Sequence, residues 1–180
     1  MMKSIIWIPV SDYIHSRKKL YVKILLPLLI SGIALAITLL YDFGDSDKIN
    51  SVFSEFVSAQ INIVAILISF SIAIITILVT ADNANITALK GTPSDPDEYK
   101  PIDNAQLSLF QVLLSNIAYN IISEVVYLIL LIAIVLVKTV LPLPALKYLS
   151  ALCLFMILHI LLVLLESVAQ MYLTFWNRKE

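Results

Sequence analysis

Four ionisable side chains stand inside long apolar stretches of this chain: Glu55, Glu124, His159 and Glu166. Charged or titratable groups are rare within membrane-spanning helices and by default mark function there. Asn62, Asn116, Asn120 and Gln170 accompany them. At about 100° per residue, Ser115, Asn116, Tyr119, Asn120, Ser123, Glu124 and Tyr127 fall on one half of a helix, opposite Ile117, Ala118, Ile121, Ile122 and Val125. On a later helix His159, Glu166 and Gln170 share a face. A third line, Glu55, Ser58, Asn62, Ser69, Ala73, Thr76 and Thr80, runs along one side of another.

Three chemistries fit these stripes. The amides and acids can pair with one another or with backbone across helix contacts, where lipid offers no partner. Stripes from several protomers can face a shared axis and form a hydrated path, in which rings of Glu favour cations. Or His159 and the glutamates can hold a metal or relay protons. That last pattern is weak, because neither HxxxH nor ExxH is present. GxSxG, P-loop and HExxH patterns are absent too, so no enzymatic activity, cofactor or metal is expected.

The elements that hold these residues read as membrane spans. Of 180 residues 60% are hydrophobic and only 14% charged, against about 25% charged in soluble domains. The fold class expected is all-α, a polytopic membrane protein of four transmembrane helices over about 22–41, 51–80, 106–140 and 148–172. About 20 apolar residues cross a bilayer; the second and third stretches exceed that and must tilt or project. In the first span Pro27 is expected near the start, where a missing N–H costs least, and Gly32 with Ala36 offers a close-contact pair. The small residues Ala65, Ser69 and Ala73 suggest that the third line packs on other helices or lines a cavity, with lipid opposite. Cys153, the single cysteine, reads as a small buried hydrophobe.

Residues 1–21 are expected to form a basic interfacial segment with Trp7 and Tyr13 at the headgroup level. The segment 81–105, with Pro93, Pro96, Pro101 and the run Asp95-Pro96-Asp97-Glu98, is expected to be a polar loop without packed structure. No signal-peptide core is seen, so the first helix should serve as an uncleaved insertion signal. Orientation follows from the cations. With the amino terminus inside, Lys3, Arg17, Lys18, Lys19, Lys23, Lys90, Lys100, Arg178 and Lys179 are cytoplasmic, and Lys48, Lys138 and Lys147 are outside: nine against three of the 12 Lys and Arg residues. That positive-inside bias predicts both termini and the loop 81–105 in the cytoplasm. It argues against a dual-topology transporter and leaves the sequon Asn85-Ile86-Thr87 unused. Glu124 then falls about 10 Å inside the inner boundary at 1.5 Å per residue.

The stretch Ile61-Asn62-Ile63-Val64-Ala65-Ile66-Leu67-Ile68-Ser69-Phe70-Ser71-Ile72-Ala73, followed by Thr80 to Lys90, resembles the small four-helix membrane subunits of bacterial anti-phage defence systems. It is similar in outline to the Kiwa membrane subunit and, more loosely, to retron-associated membrane effectors. The resemblance implies a homo-oligomer in the bacterial cytoplasmic (inner) membrane that holds a cytosolic protein partner, with no catalytic residues to carry over. The expected function is a non-enzymatic anchor or sensor surrounded by membrane lipid. The alternative is a pore-forming effector that permeabilises or depolarises the membrane. The residues expected to dock a partner are Arg17, Lys18, Lys19, Asp95, Asp97 and Glu98. With a net charge of −1, direct nucleic-acid binding is not expected.

Overall fold

The computed structural model describes residues 2–41, 46–80, 84–102 and 104–175. These form six helices: α1 (Met2–Ser16), α2 (Leu20–Leu40), α3 (Ser46–Thr80), α4 (Ala84–Gly91), α5 (Leu109–Val137) and α6 (Leu143–Phe175), with a 3-10 turn at Lys138–Val140 after α5. Four of them, α2, α3, α5 and α6, are long and apolar enough to cross a membrane. The turn residues 42–45, the tail Trp176, Asn177, Arg178 and Lys179, and the side chain of Lys3 lie outside the described residues.

Local sequence explains where the helices begin. Ser108 caps α5, its hydroxyl accepting from the backbone N–H of Gln111 while the Gln111 side chain accepts from the Ser108 N–H, a reciprocal capping box. The third span therefore opens at Leu109 rather than at Gln106, whose side-chain amide donates instead to the carbonyl of Ser94 (2.6 Å). The α6 helix starts at Leu143, five residues before the expected Tyr148, because Pro144 sits in its first turn, where proline is tolerated. The α3 helix starts at Ser46, five residues before the expected position 51, and spans about 52 Å at 1.5 Å per residue. Pro27 is the eighth residue of α2, beyond the first turn, so it removes one interior hydrogen bond. It is nonetheless buried with Ser31 against the bundle, where neighbouring protein covers the defect.

The spans run up and down in chain order, but the first span does not take the second as its principal neighbour. The α5 and α6 helices form the middle: α3 packs mainly on α5, and α2 packs mainly on α6. Of α2 only Pro27 and Ser31 are buried; Gly32 and Ala36 are exposed.

Two apolar layers hold the centre. One joins Phe53, Val57 and Val64 of α3 to Tyr127, Leu131 and Ile134 of α5 and Cys153 and Ile160 of α6. The other joins Ile74 and Leu78 to Leu113, Ile117 and Leu164. Between them in sequence, on α3 and α5, lie the fully buried Ser71, Asn120 and Glu124.

Two expectations are corrected at the amino-terminal end. The segment 1–21 is not a separate surface strip: α1 packs on the first half of α5, and Tyr13 is 1% exposed rather than set among headgroups. Nor is 81–105 a bare loop. Ile86 and Leu89 bury one face of α4 against Leu113 and Ile117. The stretch after it is pinned by backbone bonds from Lys18 N–H to Glu98 C=O (3.0 Å) and Lys100 N–H to Ser16 C=O (2.7 Å).

Candidate functional site

Where α1 ends and α2 begins, the backbone leaves helical geometry, and Arg17 pairs with Tyr99 in an isolated bridge. That bend turns the Arg17 side chain into the protein, where it is 4% exposed. One guanidinium nitrogen donates to Glu166 Oε1 of α6 (2.7 Å), and the other terminal nitrogen donates to Asn116 Oδ1 of α5. Lys23 of α2 pairs with the second oxygen of Glu166. Asn116 in turn donates to Gln170 Oε1 (2.8 Å), and the Gln170 amide donates to the Tyr99 hydroxyl (2.6 Å) and to Glu166 (3.2 Å). A buried charge is tolerable only when paired and hydrogen-bonded, and here one carboxylate answers two cations.

Aromatic rings extend the cluster. The Arg17 guanidinium lies over the Tyr13 ring (4.3 Å) and near that of Tyr99 (5.6 Å), a favourable electrostatic contact. Tyr13 stacks on Tyr119 with centroids 3.9 Å apart and planes 1° from parallel. The Tyr119 hydroxyl shares a 2.8 Å hydrogen bond with His159 Nε2, and His159 stacks near Phe155. A continuous run of contacts thus joins α1, α5 and α6. Burial pushes the phenols of Tyr13 and Tyr99 above their ordinary range, and the Arg17 charge opposes this only in part.

The expected site residues divide into three groups. Asn116, Glu166 and Gln170 come together around Arg17, with His159 reached through Tyr119. Asn120 and Glu124 form a deeper cluster: Glu124 Oε1 accepts from Ser71 (2.9 Å) and from Asn120 (2.7 Å). Glu55 and Asn62 join neither and lie exposed on α3. The face of α3 that packs within the protomer carries Phe53, Val57, Gln60, Val64, Ser71, Ile74 and Leu78; the polar line Glu55–Thr80 is the outward one. Among the proposed docking residues, Lys18, Lys19, Asp95, Asp97 and Glu98 are exposed, whereas Arg17 is interior and is unavailable for docking.

Lys23, Ser71, Tyr99 and Tyr119 complete these clusters, although sequence reasoning did not place them there. Tyr119 was visible in the stripe. Tyr99, inside a proline-rich loop, carries no periodic signal. Among the described residues no group of three or more His, Cys, Asp and Glu is placed to hold a metal.

Beside Arg17 a cavity of about 490 Å³ opens between the α1–α2 junction, α6 and the 98–99 stretch. A second, of about 450 Å³, lies toward the other end, between α2, α3 and α6, with Lys48 and Lys147 among apolar residues. Compared with known protein families, curated proteins and solved structures, the chain matches none.

Proposed function

We propose that the protein is a non-enzymatic, homo-oligomeric membrane component of a bacterial defence system, which recruits or senses a cytosolic protein at its inner face. The observation that carries this reading is the position of Arg17. The exposed surface next to it is made of Lys18, Lys19, Asp95, Asp97 and Glu98, a mixed-charge platform pinned by Lys18 Nζ to the Pro96 carbonyl (2.6 Å). Arg17 ties that platform to Asn116 and Glu166 inside the bundle. A protein seated on the platform therefore presses on side chains shared by three spans.

The inward placement of this end rests on charge. Arg17, Lys18, Lys19, Lys23 and Lys100 gather around it, while Lys138 bonds Ser54 (2.5 Å) at the opposite end, where Lys48 and Lys147 also lie. Homo-oligomerisation is supported by the outward line of α3, where hydrocarbon gives Asn62 no hydrogen-bond partner. Membership of a defence system rests on the resemblance of residues 61–73 and 80–90.

The test is site-specific crosslinking from position 97 of the full chain in cells. A single cytosolic protein is expected to crosslink and to be lost in Asp97→Lys combined with Lys100→Glu, with the thermal midpoint of the purified protein unchanged. Crosslinks to no cytosolic protein would sink the reading.

A second reading, a pore, has its own support. Glu55 and Asn62 are exposed on one side of α3 and would line an axis if that side faced inward in an oligomer. Glu124 is 0% exposed inside the protomer, so it does not supply the ring. Liposomes containing the purified chain should then conduct cations, less so with Glu55→Gln; an ion-tight bilayer removes this reading.

A further inference from the structure

The cavity beside Arg17 has two kinds of wall. At its polar end stand Arg17, Lys19 and Lys23 with Glu98 and Glu166, three cations against two carboxylates, a surplus of one positive charge. Deeper, Val22 and Leu26 of α2 face Leu162 and Ala169 of α6, an apolar slot open along the part of α2 that precedes its buried residues Pro27 and Ser31.

We propose that this cavity binds one anionic phospholipid, its phosphodiester near Arg17, Lys19 and Lys23 and one acyl chain between α2 and α6. A phosphodiester carries a single negative charge, equal to the surplus, and its oxygens are acceptors for the ammonium groups of Lys19 and Lys23. Basic pockets between membrane helices suit such headgroups. A headgroup with its own ammonium would set a cation beside three others, so a headgroup ending in an uncharged alcohol fits better. The volume, about 490 Å³, accommodates the phosphate and the upper part of one chain rather than a whole lipid. This site is independent of which partner or pore the protein forms.

The test uses the full chain, purified in mild detergent and reconstituted into vesicles of phosphatidylcholine with a minor fraction of phosphatidylglycerol, then released for native mass spectrometry. Retained phosphatidylglycerol is expected several-fold above its share of the bilayer. Lys19→Glu reverses an exposed charge at the polar end, and Leu26→Trp fills the slot; each should return the ratio to the bulk share with the thermal midpoint unchanged. Glycerol phosphate, the headgroup without chains, should not compete. Retention in the bulk proportion by the unmodified chain, enrichment that survives either substitution, or displacement by glycerol phosphate would each overturn the proposal.

Discussion

Two stripes of similar composition meet opposite fates. The α5 stripe, Asn116, Asn120 and Glu124, is 0–1% exposed and hydrogen-bonded to α3, α6 and the α1–α2 junction. The α3 stripe, Glu55, Ser58, Asn62, Ser69, Ala73, Thr76 and Thr80, is exposed along its length. Its hydroxyls at Ser69, Thr76 and Thr80 turn back onto carbonyls four residues earlier in their own helix, leaving the amide of Asn62 for something outside the protomer. Residue type says which side chains need a partner. Only packing says whether that partner belongs to the same chain.

The contrast can be broken most forcefully at Arg17. Arg17→Leu leaves Glu166 with Lys23 as its one cation beside the Gln170 amide and Asn116 Oδ1 without its donor, and should cost about 3–5 kcal/mol, the range for breaking a buried pair, read as the unfolding free energy in detergent. Arg17→Lys should recover little of it, since an ammonium cannot make both directed bonds. A loss below about 1 kcal/mol, the range of surface pairs, would mean that the inner cluster is no better held than a surface pair. Next comes Glu124→Leu, which strands the Asn120 amide in the interior while Ser71 can turn to its own helix; about 1–3 kcal/mol is expected in the same measurement.

Alkaline stability gives a third, smaller effect. The phenols of Tyr13 and Tyr99 sit above their ordinary value of 10.0 in the folded state because they are buried. Below pH 10 both states hold the proton, so the contribution is complete. Above pH 10 the unfolded chain releases it first, and stability falls until the folded value is passed. Tyr13→Phe keeps the stack on Tyr119, removes a hydroxyl with no hydrogen-bond partner, and should flatten this decline in thermal melts taken from pH 9 upward. The smallest effect on the protomer is expected on the outward stripe. Asn62→Leu should change protomer stability by no more than about 0.5 kcal/mol, as at surface positions away from special contacts, yet shift the population from oligomer to monomer in light scattering. If it destabilises the protomer like Glu124→Leu, the distinction between the stripes disappears.

The spans were legible because a bilayer demands long uninterrupted apolar helices, and Leu20–Leu40, Leu109–Val137 and the others satisfy that by composition alone. Their ends were less so. The Ser108-x-x-Gln111 box was present in the sequence and marks the start of α5 more sharply than hydropathy does. Ile86 and Leu89, three apart, announced α4, but Pro93, Pro96 and Pro101 outweighed them. Arg17 was the hardest case. In the run Arg17-Lys18-Lys19 the three cations look equivalent, and what sends only the first inside is a bend stabilised by Tyr99 and a carboxylate 149 positions away. Periodicity reads neighbours one turn apart and carries nothing about such a pairing. The rotation of α3 was likewise hidden, since polar and apolar faces of a membrane helix are both eligible for contact.

The attachment of α2 to α6 has a bearing on biosynthesis. As the chain leaves the ribosome, the first span enters the bilayer with its principal neighbour not yet made, and the hairpin partner next in line does not replace it. Arg17 and Lys23 wait at the membrane boundary until Glu166 arrives. Assembly is therefore closed from the last span backward, and a nascent chain halted after α5 carries two positive charges that still lack their carboxylate.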